Sequence, residues 1–109
     1  MLSKEKRINT ILFDEILKLG NKRYFKYFYI LVLENDKQKN SHIAFVVPKK
    51  QFKKAIDRNN IKRKCSGIIK DIYLNIPSSL NIIFFLKKEI EELNFQELQS
   101  EITNSLNDF

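Results

Sequence analysis

Residues 49–70, KKQFKKAIDRNNIKRKCSGIIK, must satisfy two demands at once. They hold nine of the chain's twenty basic residues and one acid, Asp57, a local charge of +8 in a chain whose net charge is +7. They also carry Ile61, Cys65, Ile68 and Ile69, with Ile72 just beyond, inside an arc of about 100° when residues advance about 100° each. An amphipathic helix from Lys54 to Ile72, with Asp57 in its first turn, meets both demands. Its isoleucine arc lies on a core, and Asn59, Lys62, Arg63, Ser66 and Lys70 form the opposite arc.

Clustering matters more here than the number of lysines. The chain is rich in Ile, Asn, Lys and Phe and poor in Gly and Ala, a pattern that AT-biased codon usage produces without any demand for charge. Arginine discriminates better: of Arg7, Arg23, Arg58 and Arg63, two fall in the basic segment. A merely solvated helix face interleaves acids for (i, i+4) pairs, whereas this one sets a single acid against nine cations. A polyanion relieves that repulsion, and long Lys and Arg side chains beside an Asn suit RNA phosphates and sugars. Lys49, Lys50, Lys53 and Lys54 extend the same patch past a strand end.

The rest of the chain supplies a scaffold. Ile8, Ile11, Leu12, Ile16 and Leu19 recur at spacings of three and four before Gly20-Asn21, which predicts a helix over 8–19 with Phe13 and Leu17 beside its stripe. Residues 24–34, YFKYFYILVLE, predict a strand, of which 24–26 can stand apart as a short one before a kink. ENDKQKN is a polar turn, and His42–Val47 follows as a strand ended by Pro48, the two runs making an antiparallel pair. Pro77-Ser78-Ser79 closes the basic helix, and Leu80–Leu86 is a continuous apolar run expected of a strand buried on both faces. After Lys87-Lys88, an acidic tail with Leu93, Leu98, Ile102 and Leu106 behind an Asn94 cap predicts a terminal helix.

The expected architecture is α+β: a small sandwich of α-β-β-β-α-β-α order, with helices packed on a mixed four-stranded sheet and residues 1–109 forming one domain. One cysteine, Cys65, excludes an internal disulfide, and with the single His42 no Cys/His zinc cluster can be assembled, so a reducing cytoplasm is the expected compartment. The first twenty residues are interrupted by Asn9, Asp14, Glu15 and Lys18, which argues against a signal peptide or membrane span. Cys65 reads as core, His42 has no acid or thiol beside it in sequence, and Glu91-Glu92 read as a charged helix face. No catalytic residue and no small-molecule substrate is expected.

Val47-Pro48-Lys49-Lys50, followed by Ala55-Ile56-Asp57-Arg58-Asn59-Asn60-Ile61-Lys62-Arg63, resembles the signature of the bacterial ribonuclease P protein subunit. That family's pattern sets two lysines after a strand and then Ala-Val-x-Arg-Asn-Arg-x-Lys-Arg opening a helix. Arg7-Ile8, Phe13, Ile16 and Gly20 are similar to its N-terminal pattern, so the resemblance covers nearly the whole chain. Departures mark a divergent member: the second motif arginine is Asn60, a further one is Ser66, and Gln51-Phe52 stand where the family has a glycine, with one residue added.

The resemblance implies a function: binding a large catalytic RNA and the single-stranded 5′ leader of precursor tRNA, with the RNA and its bound Mg²⁺ performing the hydrolysis that removes the leader. It implies a rare left-handed crossover around the basic helix, where the general expectation is right-handed. Lys49, Lys50, Lys53, Lys54, Arg58, Asn59, Lys62, Arg63 and Lys70 are then the RNA-binding residues. The leader is implied to lie between the first helix and the sheet, near Phe13, Leu17, Tyr29, Ala44 and Val46, although Phe13 and Leu17 read equally well as core. Strand alternation sends Ile43, Phe45 and Val47 one way and Ala44 and Val46 the other. The alternative is a general RNA-binding or ribosome-associated module without a role in tRNA processing. A protein-only nuclease fits worst, because it needs clustered carboxylates that the central two-thirds of the chain lack.

Overall fold

The computed structural model describes residues 7–38, 40–76 and 79–107. Helix α1 (Thr10–Leu19) leads through Gly20 into strand β1 (Asn21–Tyr24), then β2 (Phe28–Glu34) and β3 (His42–Val46). Helix α2 (Ala55–Ile72) connects β3 to β4 (Leu80–Leu86), and α3 (Phe95–Leu106) ends the described chain. The expected α-β-β-β-α-β-α order and mixed sheet are therefore present.

Strand order is β1-β2-β4-β3, which corrects the expected pairing of residues 24–34 with 42–47. Strand β4 lies between them, antiparallel to β2 and parallel to β3. The physical reason is burial. LNIIFFL is the most uniformly apolar run, with every residue buried except the half-buried Phe85, and a central place is where such a strand loses most water contact. The separate short strand exists, but at Asn21–Tyr24 rather than 24–26, and it pairs antiparallel with β2.

One sheet face carries Phe28, Ile30 and Val32 of β2, Leu80, Ile82, Phe84 and Leu86 of β4, and Ile43 of β3. Against it pack Ile61, Cys65, Ile68 and Ile69 of α2 and Leu98, Ile102 and Leu106 of α3. The isoleucine arc read from the sequence is thus the arc that is buried, each such side chain contributing about 1.5–3 kcal/mol. Phe28 and Phe45 meet the Phe84 ring at 5.4 and 4.9 Å. Helix α2 ends at Ile72, as its spacing predicts, and a 3-10 turn, Tyr73–Asn75, follows; Pro77-Ser78, expected to close the helix, lie outside the described residues. Helix α3 starts in a capping box: the Asn94 side chain accepts from the Glu97 amide at 2.8 Å, and the Glu97 carboxylate accepts from the Asn94 amide at 3.0 Å.

Among the described residues, the other sheet face is covered by α1. Ile16 is fully buried on Leu31 and Ile83, with Ile8, Leu12 and Phe13 packed beside it. Asn9 caps the helix, its side chain accepting from the Leu12 amide at 2.8 Å, so Ile8 precedes the helix instead of starting it. The stripe read from sequence is partly wrong: Ile11 is 80% exposed and Leu19 65% exposed. Apolar residues surround this helix, so their spacing alone does not single out the buried face.

Candidate nucleic-acid interface

The polar arc of α2 is aimed across the free edge of the sheet. Asn59, Lys62, Arg63 and Ser66 line a groove of about 640 Å³, closed on its other sides by Ile43, Ala44 and Phe45 of β3 and by Arg7 and Ile8 ahead of α1. Three cations from two distant parts of the chain therefore face one concave surface. The sequence marked the α2 residues and left Arg7 out of the patch, because only the path of α1 over the sheet brings it there. Lys70 is exposed one turn beyond Ser66, on the same arc but outside the groove lining.

The lysines ahead of α2 sit on a turn held from both ends. After Pro48 the amides of Gln51 and Phe52 donate to its carbonyl at 3.2 and 2.9 Å, leaving Lys49 and Lys50 exposed. Phe52 is fully buried in the core, while the Gln51 side chain accepts from the Lys88 amide at 2.9 Å. The pair that replaces the family's glycine is thus an anchor for the loop. Lys53 and Lys54 are exposed.

Arg58 behaves differently from its neighbours. Its Nη1 donates to the carbonyls of Phe52 at 2.7 Å and Lys53 at 3.0 Å, and the residue is only half exposed. It ties the lysine-bearing turn to the first turn of α2, so a deletion there acts on the turn as well as on any RNA contact.

The face beside α1 holds the other expected residues. Ala44 and Val46 lie on it, as strand alternation predicted, with Ile43, Phe45 and Val47 on the opposite side, and Tyr29 joins them opposite Phe85. Val46 and Phe13 both pack, half-buried, around Ile16, Leu31 and Ile83, whereas Leu17 is 48% exposed and belongs to no core cluster. Ala44 borders the α2 groove. The strand registers place Val46 beside Phe85 and Phe85 beside Tyr29, so the basic groove passes into an apolar strip of sheet. Tyr29 and Phe85 also border a second recess with Pro48, Gln51, Lys87 and Lys88.

Phe85 was missed because a run read as buried on both faces gives no reason to expose one ring. The Tyr29 and Phe85 rings stack at 4.6 Å with 6° between their planes. Farther along this face, Asn81 is buried and its side-chain oxygen lies 2.8 Å from His42 Nδ1 and accepts from Gln38 at 3.1 Å, so His42 has a polar partner without an acid or thiol.

Cys65 is buried against the sheet, and burial pushes its thiol up to about 12, partly offset by the charge of Lys64. It is a core residue with no thiolate for chemistry at neutral pH. Among the described residues no group of three or more His, Cys, Asp or Glu side chains comes together where it could hold a metal ion.

Fold and site define a small α+β protein that exposes a basic helix face beside one thinly covered sheet face, chemistry suited to a polyanion. The ribonuclease P family model matches residues 2–109. The ribonuclease P protein component of Rickettsia canadensis is 33% identical over 104 residues, covering 84% of this chain and 86% of that one. That of Finegoldia magna is 33% identical over 88 residues, covering 81% and 75%. The solved ribonuclease P protein of Thermotoga maritima superposes with a TM-score of 0.83 at 28% identity, covering 94% of this chain and 96% of its own. The Staphylococcus aureus protein, at 21% identity and a TM-score of 0.81, shares the fold.

The chain belongs to the ribonuclease P protein family, as a divergent member and a subunit of that endoribonuclease. A role in tRNA 5′ maturation follows, and a general RNA-binding module is not favoured.

Proposed function

We propose that this protein binds the catalytic RNA of ribonuclease P through Lys49, Lys50, Lys53, Lys54, Asn59, Lys62, Arg63 and Lys70, and the 5′ leader of precursor tRNA along the sheet face beside α1. Arg58 joins the first set chiefly by holding the lysine turn. Phe13, Leu17, Tyr29, Ala44 and Val46 border the leader. The observation that carries this reading is continuity: Ala44 borders the basic groove, and Val46 leads on to Phe85 and Tyr29. Phosphates meet cations at one end, and unpaired bases meet apolar and aromatic side chains at the other.

This chain's residues bind and orient RNA; they do not touch the scissile bond. Mg²⁺ is assigned to the partner RNA, where it supplies the hydrolytic chemistry. Residues 1–109 act as one domain. No helix among the described residues is long and apolar enough to cross a membrane, and a single buried cysteine fits a cytoplasmic setting.

The test is cleavage of a leader-bearing precursor by the cognate catalytic RNA at low Mg²⁺, with and without this protein. Rescue is expected with the protein and reduced rescue with Lys62→Ala/Arg63→Ala. Phe13→Ala should weaken precursor binding more than mature tRNA binding, and equal losses for both would overturn the leader assignment.

A further inference from the structure

The aromatic strip does not stop at Tyr29. Strand β1 pairs with β2 so that Tyr24 lies opposite Tyr29, on the same sheet face. Val46, Phe85, Tyr29 and Tyr24 therefore form one cross-strand row over the full width of the sheet, from the α2 side to the far edge. The Tyr24 and Tyr29 rings are 5.8 Å apart and tilted by 42°, continuing the flat Tyr29–Phe85 stack. Tyr24 is 69% exposed, a large apolar ring left open at the end of a strip whose other rings are half covered.

Lys22, two residues earlier on the same strand and hence on the same face, holds its ammonium 4.7 Å from the Tyr29 ring centre and 5.2 Å from that of Tyr24. Two aromatic faces with a cation on a flexible stem above them match the chemistry of a nucleotide. The rings stack on a base, and the ammonium donates to the phosphate that follows it. A peptide strand would need the free edge of β1 and would find no use for a cation standing over the rings.

We propose that Tyr24 and Lys22 form a further RNA subsite, which takes the unpaired leader nucleotides farthest from the basic helix. This rests on the leader reading above. With the catalytic RNA and tRNA body assigned to the α2 side, lengthening the leader at its 5′ end fills the row from Val46 toward Tyr24. In the free protein Lys22 occupies the place of the base, and an entering nucleotide displaces it from the rings onto the phosphate.

The experiment measures affinity of the reconstituted holoenzyme for precursor tRNAs whose leaders grow one nucleotide at a time, with 2-aminopurine placed at each leader position in turn. For the unaltered protein, affinity rises with length until the row is filled, and the probe is quenched along it. Tyr24→Ala should remove only the last step, about five- to a hundredfold, and relieve quenching only at the distal position. Tyr24→Phe should restore both, and Lys22→Gln should lower the salt dependence by about one phosphate for long leaders alone. Leader-independent binding by the unaltered protein would sink the leader reading and this subsite together. Length dependence that Tyr24→Ala leaves intact, or a loss equal at all lengths including mature tRNA, would overturn the subsite alone.

Discussion

Arg58 holds Phe52: its Nη1 donates to that residue's carbonyl at 2.7 Å and to the next carbonyl, of Lys53, at 3.0 Å. Phe52 is fully buried and Lys53 exposed, so the guanidinium fixes the point where the chain leaves the core for the basic patch. Charged hydrogen bonds of this kind contribute about 1.5–3 kcal/mol, toward the lower end at a half-exposed site. Arg58→Ala should therefore lower unfolding free energy by about 1–2 kcal/mol and weaken binding to the catalytic RNA. The two effects share one cause, so the losses from Arg58→Ala and from Lys53→Ala/Lys54→Ala should not add. A double-mutant cycle on RNA affinity checks this; additive losses would make Arg58 an independent phosphate contact.

The two glycines of the chain should respond in opposite directions to the same substitution. Gly20 has an ordinary φ of −70°, but a Cβ there would lie 2.5 Å from the Ile16 carbonyl oxygen, which accepts the Gly20 amide at 2.8 Å. Gly20→Ala must force residue 20 and the last turn of α1 apart, at a cost of about 1–3 kcal/mol. Gly67, inside α2, has nothing within 4 Å of the place an alanine methyl would take, so Gly67→Ala should stabilise by about 0.5–1 kcal/mol through helix propensity. Urea denaturation of both variants decides the matter, and precursor discrimination should suffer in the first alone.

What was legible in the sequence was what depends on period and local chemistry. The α2 arc, the Asn94 cap, the polar turn after Glu34 and the two faces of His42–Val46 all follow from spacing along one segment. Strand order does not. Nothing near residues 28–34 or 42–46 states that β4 inserts between them; that follows from which strand gains most by being covered on both sides. The aromatic row was hidden for the same reason, since Tyr24, Tyr29 and Phe85 become neighbours only once β1, β2 and β4 are laid side by side. Helix α1 failed differently: with apolar residues on nearly every side, its buried face is chosen by the sheet. The sequence shows the charge of Arg58 but not the Phe52 and Lys53 carbonyls that its Nη1 reaches, so its hold on the lysine turn is visible only in the fold.

Cys65 should give the protein an alkaline limit. Burial raises its thiol from an ordinary 9.0 to about 12, so between those values the unfolded chain ionises there while the folded chain keeps its proton. The folded state then binds more protons than the unfolded one, and stability, fully present below pH 9, falls as pH rises toward 12, by roughly 1.4 kcal/mol per unit. Lysines and tyrosines titrate in the same range, so the measurement is a difference: the stability gap between the native protein and Cys65→Ala should narrow from pH 9 to 11. At pH 8 a thiol reagent should modify Cys65 no faster than the protein unfolds.

The two positions where family arginines are missing should not be equivalent. Ser66 lines the groove with Arg7, Asn59, Lys62 and Arg63, whereas Asn60, although exposed, is turned about 100° from Asn59 around the helix and is absent from the lining. An arginine at Ser66 would enter a surface already holding three cations, which disfavours the free protein slightly and favours the RNA-bound state more. Ser66→Arg should then tighten binding to the catalytic RNA by about 1 kcal/mol at low salt, steepen the salt dependence by about one phosphate, and lower thermal stability a little. Asn60→Arg should change affinity by much less, since its side chain reaches RNA only if the partner also wraps the flank of α2. Salt titrations of both variants against the same RNA test the geometry of the groove: equal steepening at the two positions would mean that the RNA covers the helix more broadly than the groove does.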